Sequence, residues 1–132
     1  MKEIEVVAAI IFEGKHALCV QRAPSKYAYT SLKYEFPGGK VEPNETEKEA
    51  LKREILEELS MDVIVGSKYL TVKHAYPDFS IVMHSYLCIV TNRDLILHEH
   101  VTAQWLEIAD FKQLDWAEAD LPIVEKLMEE KT

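Results

Sequence analysis

Residues 4–12 are apolar at every position except Glu5, and β-branched side chains dominate the run. The stretch is too short to cross a bilayer and has acids on both sides. It reads as a strand buried on both faces rather than as a targeting segment. Such a strand must be covered above and below, which points to a layered arrangement. Glu13-Gly14-Lys15 reads as a turn and residues 17–21 as the returning strand. Residues 22–34 read as a loop, and Glu35-Phe36-Pro37-Gly38-Gly39 as a strand end running into a glycine-rich turn. A helix is predicted to open at Pro43-Asn44-Glu45-Thr46, with Asn44 as its N-cap, and to last to about Leu59. Residues 63–72 and 79–90 read as two long strands joined around His74-Ala75-Tyr76-Pro77-Asp78, and residues 103–107 as a shorter one. A last helix is expected over residues 121–130, with Leu121, Val124, Leu127 and Met128 on one face. The order strands, helix, strands, helix predicts an α/β fold, a mixed β-sheet held between helices, in a single domain over residues 1–132.

The chain carries a formal net charge of −8. That balance excludes a nucleic-acid backbone as a partner held by bulk electrostatics. If the substrate is a polyphosphate, something must reverse the sign of the field locally, and a bound divalent cation does so. The two cysteines, Cys19 and Cys88, sit in apolar runs and are expected as buried, reduced thiols. With 132 residues the chain can build a core without disulfides or structural zinc. No targeting segment is visible, so the expected location is cytoplasmic, with no membrane partner.

The segment GKVEPNETEKEALKREILEELSM, Gly39 to Met61, carries the chemistry. At about 100° per residue, Leu51, Ile55 and Leu59 fall on one arc, and Glu54, Glu57 and Glu58 fall on a neighbouring one. Like charges at these spacings destabilise an isolated helix. A divalent cation turns the repulsion into coordination, and Mg²⁺ suits a patch of carboxylates facing a phosphate because it takes oxygen ligands and keeps several waters. Arg53 can hold one of the carboxylates by a bidentate pair.

On these residues the chain resembles a Nudix hydrolase. The family's box, G-x5-E-x7-R-E-U-x-E-E-x-G-U with U a bulky aliphatic residue, is met by Gly39, Glu45, Arg53, Glu54, Ile55, Glu57, Glu58 and Met61. The one departure is Ser60, where the box has a glycine that ends the helix in a left-handed conformation. A serine in that conformation costs about 1 kcal/mol. The VVAAII run, Gln21-Arg22, the Glu35-to-Lys40 stretch and the last helix extend the likeness to the MutT-like branch, and within it to the bacterial CTP pyrophosphohydrolases.

The resemblance implies a Nudix-type α/β/α sandwich and a Mg²⁺-dependent nucleoside triphosphate pyrophosphohydrolase, with Mn²⁺ as a possible substitute. Glu57 and Glu58 are the implied central metal ligands, with the backbone carbonyl of Gly38. Glu54 is the implied general base or a further ligand. Glu45 and Arg53 are organisers, and Arg22 and Lys40 neutralise phosphate oxygens. Glu99, in Leu97-His98-Glu99-His100, corresponds to an acid that reaches the metal or the catalytic water from a mobile loop. His98 and His100 lack the H-E-x-x-H spacing of a zinc site.

Asp120 has two readings. It can cap the last helix, or it can read the base, standing where oxidised-guanine hydrolases of the branch carry an asparagine. An ionised Asp only accepts hydrogen bonds, which favours the exocyclic amine of cytosine. Tyr27, Tyr29, Tyr34, Phe36 and Phe79 can stack on a base, Phe36 first among them because it adjoins the Gly-Gly turn. A (d)CTP-like or an oxidised nucleotide such as 8-oxo-dGTP is the expected substrate, in nucleotide pool sanitation or adjustment of a normal pool. Another nucleoside diphosphate derivative and a catalytically silent nucleotide-binding module stay open, as do monomer and homodimer.

Overall fold

A computed structural model describes residues 2–131, without the side chain of Lys131. Strand β1 (Glu3–Glu13) is the centre of the molecule. It runs parallel to β6 (Ser80–Ile89) along its length, from Glu3 beside Ser80 to Phe12 beside Ile89. Its other edge is shared: β4 (Gly38–Lys40) pairs antiparallel with its first half and β2 (His16–Gln21) with its last residues. β2 in turn carries β3 (Tyr34–Glu35) and β7 (Thr102–Glu107), and β5 (Ile64–Ala75) closes the far side against β6. The result is one mixed seven-stranded sheet.

The alternation along β1 builds two cores. Val7, Ala9 and Ile11 face helix α1 (Glu47–Leu59) and pack with Leu51, Ile55 and Leu59. Ala8 and Ile10 face the other way, toward Phe111 of a 3₁₀ helix (Ile108–Gln113) and toward Ile123 and Leu127 of helix α2 (Leu121–Lys131). A sheet covered on both faces by helices is the predicted sandwich. Leu51, Ile55 and Leu59 are fully buried, each contributing about 1.5–3 kcal/mol of transfer free energy. That anchorage fixes the roll of α1 and so the direction of its acids. Cys19 lies in the α2-side core and Cys88 in the α1-side core, both free, and burial pushes both thiols up to about 12.

Several predicted boundaries move. The N-cap of α1 is Thr46, not Asn44: Thr46 accepts from the N–H of Glu49 at 3.1 Å, and Glu49 accepts from the N–H of Thr46 at 2.8 Å. This reciprocal box satisfies two donors that a lone Asn cap could not, while Asn44 sits at φ 68° in the preceding turn. The glycine-rich turn is also a short strand, because Gly38 and Gly39 lie against Ala8 and Val7 of β1. At the other end of α1, Ser60 takes the left-handed conformation, φ 54° and ψ 36°, and donates its N–H to the Leu56 carbonyl.

Candidate active site

Helix α1 contributes Glu58 to the lining of a cleft of about 530 Å³, a size suited to a small molecule, while Glu54 and Glu57 stand outside that lining. One end of the cleft is acidic, with Glu58, Glu99 and Glu35 beside the backbone of Gly38 and Gly39. The other end is largely apolar, with Ile4, Phe79, Ile81 and Met83. Arg22 and Asp120 also line it.

Arg53 organises the acidic end. Its Nε and Nη2 donate to the two carboxylate oxygens of Glu45 at 2.6 and 2.9 Å, its Nη1 to Glu54 at 2.9 Å, and its Nη2 to the carbonyl of Lys40 at 3.1 Å. These bonds hold the Glu45 carboxyl down at about 2. The guanidinium ties α1 to β4, so the glycine strand and the acidic helix move as one piece. The fit is close: a Cβ on Gly39 would lie 2.4 Å from the Glu54 carboxyl, and one on Gly38 would lie 1.9 Å from the carbonyl oxygen of Val7.

Glu58 is a strongly perturbed acid. Burial, then the charges of Glu54, Glu99 and Glu35, push its carboxyl up to about 9, and its Oε1 is buried without a partner. Burial also raises Glu54, against the pull of Arg53. Glu57 is more open, its side chain 59% exposed and 3.4 Å from Arg53. Among the described residues no three His, Cys, Asp or Glu side chains converge as a ready-made metal cage. Mg²⁺ does not need one, because it binds through one or two carboxylates plus waters and substrate oxygens. An orphaned, charge-crowded carboxylate oxygen in a cleft that Gly38 also lines suits such an ion.

The other expected residues fall as follows. Arg22 lines the cleft, donates from Nη1 to Glu35 at 3.1 Å and leaves Nε buried without a partner. Lys40 lines the same cleft from β4. Asp120 is 3% exposed and accepts on Oδ1 from the N–H of Phe36 at 3.0 Å, so its carboxyl bonds across the sheet rather than to its own helix. Burial, then the charge of Glu35, drives that carboxyl well above the usual range, against the N–H of Phe36 and the charge of Arg22. The Phe36 ring is 2% exposed and packs on Trp116 and Phe111, and Phe36 and Phe79 both line the cleft. Tyr27 stacks on Tyr29 and Tyr29 on Tyr76, and Tyr34 accepts from Gln104.

Sequence reasoning did not single out Glu35 or Tyr76 for the site. Glu35 bonds both Arg22 and His100, and Tyr76 accepts from the N–H of Ala119 beside Asp120. The position of Glu35 ahead of the Gly-Gly pair is the one hint the sequence holds.

A family profile for the NUDIX domain matches residues 2–127. The chain belongs to the Nudix family. It is 37% identical to the CTP pyrophosphohydrolase of Escherichia coli K12, over 97% of this chain and 93% of that protein. It is 26% identical to the 8-oxo-dGTP diphosphatase of the same organism, over 96% and 98%. Among solved structures, the E. coli ORF135 protein superposes with a TM-score of 0.85 at 35% identity, covering 100% of this chain and 93% of that one. The MutT protein of methicillin-resistant Staphylococcus aureus 252 gives 0.75 at 45% identity, over 98% and 99%. This Nudix chain is accordingly a hydrolase of phosphoric anhydride bonds.

Proposed function

We propose that this Nudix hydrolase is a Mg²⁺-dependent nucleoside triphosphate pyrophosphohydrolase, releasing a nucleoside monophosphate and pyrophosphate from a cytosine or an oxidised nucleotide. The observation that carries the reading is a set of unsatisfied buried atoms in one cleft: Glu58 Oε1, Arg22 Nε and His100 Nδ1. Buried polar atoms normally find partners. An acceptor and a cationic donor left open in the same cavity fit a cation and a phosphate arriving together. Glu57, Glu58 and the Gly38 carbonyl would hold the cation, with Glu54 and Glu99 beside them. When bound, Mg²⁺ supplies charge stabilisation at the phosphoryl oxygens and lowers the pKa of water.

The protein's own groups do the rest. Glu54, raised by burial, takes a proton from the attacking water more readily than an exposed glutamate. Arg22 and Lys40 donate to phosphate oxygens, and Arg53 keeps Glu54 in line. Water attacks an inner phosphorus and pyrophosphate leaves. The apolar end takes the base, with Phe79 for stacking and Asp120 for its edge. Buried and raised, Asp120 acts there as a neutral acid. Its Oδ1 accepts from Phe36 and the other oxygen donates toward a ring nitrogen or carbonyl of the base, in place of the acceptor-only role expected of an ionised Asp. The CTP pyrophosphohydrolase and 8-oxo-dGTP diphosphatase relatives support both substrate choices. The test is a Mg²⁺-dependent kinetic panel of CTP, dCTP and 8-oxo-dGTP with product analysis. Asp120→Ala should lower kcat/KM for the preferred base by about tenfold or more, the worth of one base contact. An unchanged ranking would remove Asp120 from base reading, and absence of pyrophosphate would refute the reaction.

A further inference from the structure

The His98-Glu99-His100 motif lacks the H-E-x-x-H zinc spacing, and the box substitution Ser60 carries a left-handed backbone that glycine would adopt at no cost. The structure joins these two oddities. Residues 96–101 lie along the end of α1 and are tied at nearly every step. Ile96 N–H donates to the Leu59 carbonyl at 2.9 Å and His98 N–H to the Glu58 carbonyl at 3.2 Å. The His98 Nε2 and the Ser60 Oγ share a hydrogen bond at 2.8 Å. On the other side, His100 Nε2 donates to Glu35 Oε2 at 3.1 Å, with the His100 side chain 6% exposed, and Val101 N–H donates to the Gln21 carbonyl at 2.9 Å. Between the two histidines, Glu99 lines the same cleft as Glu58, and its charge acts on the Glu58 carboxyl.

We propose that His98 and His100 form a two-sided clamp, anchored on Ser60 and Glu35, that holds Glu99 in the cleft it shares with Glu58. Both histidines are positioning residues and act through Glu99, so the clamp rests on the role of Glu99 in the reaction proposed above. It also explains the serine. A glycine at position 60 relaxes the helix end but offers no hydroxyl to His98, so the serine keeps its strain in exchange for a fixed loop. Anchoring from one side alone would let Glu99 swing, because the bonds at residues 96 and 98 lie before it and those at 100 and 101 after it.

The test is steady-state CTP hydrolysis with Mg²⁺ by Ser60→Gly, His98→Ala, their double variant, and the same changes in a Glu99→Gln background. Ser60→Gly and His98→Ala should each lower kcat about fivefold, the factor one net hydrogen bond is worth, with KM for CTP unchanged. The double variant should show the same fivefold loss, since one bond is broken once. In the Glu99→Gln background both changes should be silent. Ser60→Asn, which tolerates the left-handed backbone and can still bond His98, should recover most of the rate. His100→Gln, which keeps a donor toward Glu35, should exceed His100→Ala. Ser60→Gly should melt no lower than the wild type, because relief of strain offsets the lost bond. Wild-type rates in Ser60→Gly and His98→Ala, or equal losses in the Glu99→Gln background, would overturn the clamp alone. Full activity in Glu99→Gln would overturn the role of Glu99 and the clamp with it.

Discussion

Replacing Glu58 by Gln should make the metal-free protein more stable and the enzyme inactive. In the fold the Glu58 carboxyl is pushed from 4.5 up to about 9, chiefly by burial and then by Glu54, Glu99 and Glu35. At pH 7.5 the unfolded chain carries this group ionised and the folded chain carries it protonated. Folding must therefore take up a proton, which costs about 1.4 kcal/mol for each pH unit above the ordinary value, or about 4 kcal/mol in all. Water at the mouth of the cleft screens the acidic cluster and reduces this to about 2 kcal/mol. Glutamine is the isostere of the protonated acid and avoids the cost. For a chain of this size the gain corresponds to a rise in Tm of about 6 °C. The sign has a pH signature. A raised acid lends its full stability below the unfolded value and loses it as pH climbs toward the folded value. The advantage of glutamine should therefore nearly vanish at pH 5 and grow toward pH 9. Differential scanning calorimetry in EDTA from pH 5 to 9 measures it directly. A glutamine variant that melts at or below the wild type at pH 8, or a Tm difference independent of pH, would refute the account of Glu58.

Arg53→Lys should lower kcat by about tenfold or more, because a single ammonium cannot span Glu45, Glu54 and the Lys40 carbonyl at once; steady-state rates at saturating Mg²⁺ check it. The two glycines should separate stability from activity. Gly38→Ala drives a Cβ into the β1 backbone at Val7 and should destabilise the fold by about 2 kcal/mol or more. Gly39→Ala meets first the flexible end of Glu54, so chemical denaturation should find it near wild-type stability while turnover collapses. Native protein should show no thiol reactive toward a disulfide reagent at pH 8, and both Cys19 and Cys88 should react once it is denatured.

The architecture was largely legible because β1 declares its double burial residue by residue, and because Leu51, Ile55 and Leu59 fix which flank of α1 the acids occupy. Boundaries were less so. Asn44 and Thr46 are both good caps in isolation, and the choice fell to Glu49, whose side chain closes the box on Thr46. The acids of the site could be named from spacing, but their inequality could not. Glu57 and Glu58 are neighbours in sequence, yet one is open and the other is buried in a cleft it shares with Glu99, from a loop some forty residues on. Phe36 and Asp120 show the same limit. Their types fitted stacking for the one and capping or base reading for the other, but did not show that the Phe36 ring would pack on Trp116 at the cleft wall or that the Asp120 carboxyl would accept from the Phe36 N–H across 84 residues. Contacts of that range depend on how the sheet closes, which local pattern does not encode.

The central claim is that the Glu57–Glu58 flank of α1 takes up magnesium and thereby seats a triphosphate on a negatively charged protein. Calorimetric titration with Mg²⁺ in the presence of a non-hydrolysable cytidine triphosphate analogue tests it, on the wild type and on the Glu57→Gln, Glu58→Gln double variant. Saturable uptake by the wild type and loss of both metal and nucleotide binding by the double variant is the predicted result. Equal uptake by the two proteins, or tight nucleotide binding without magnesium, would contradict it.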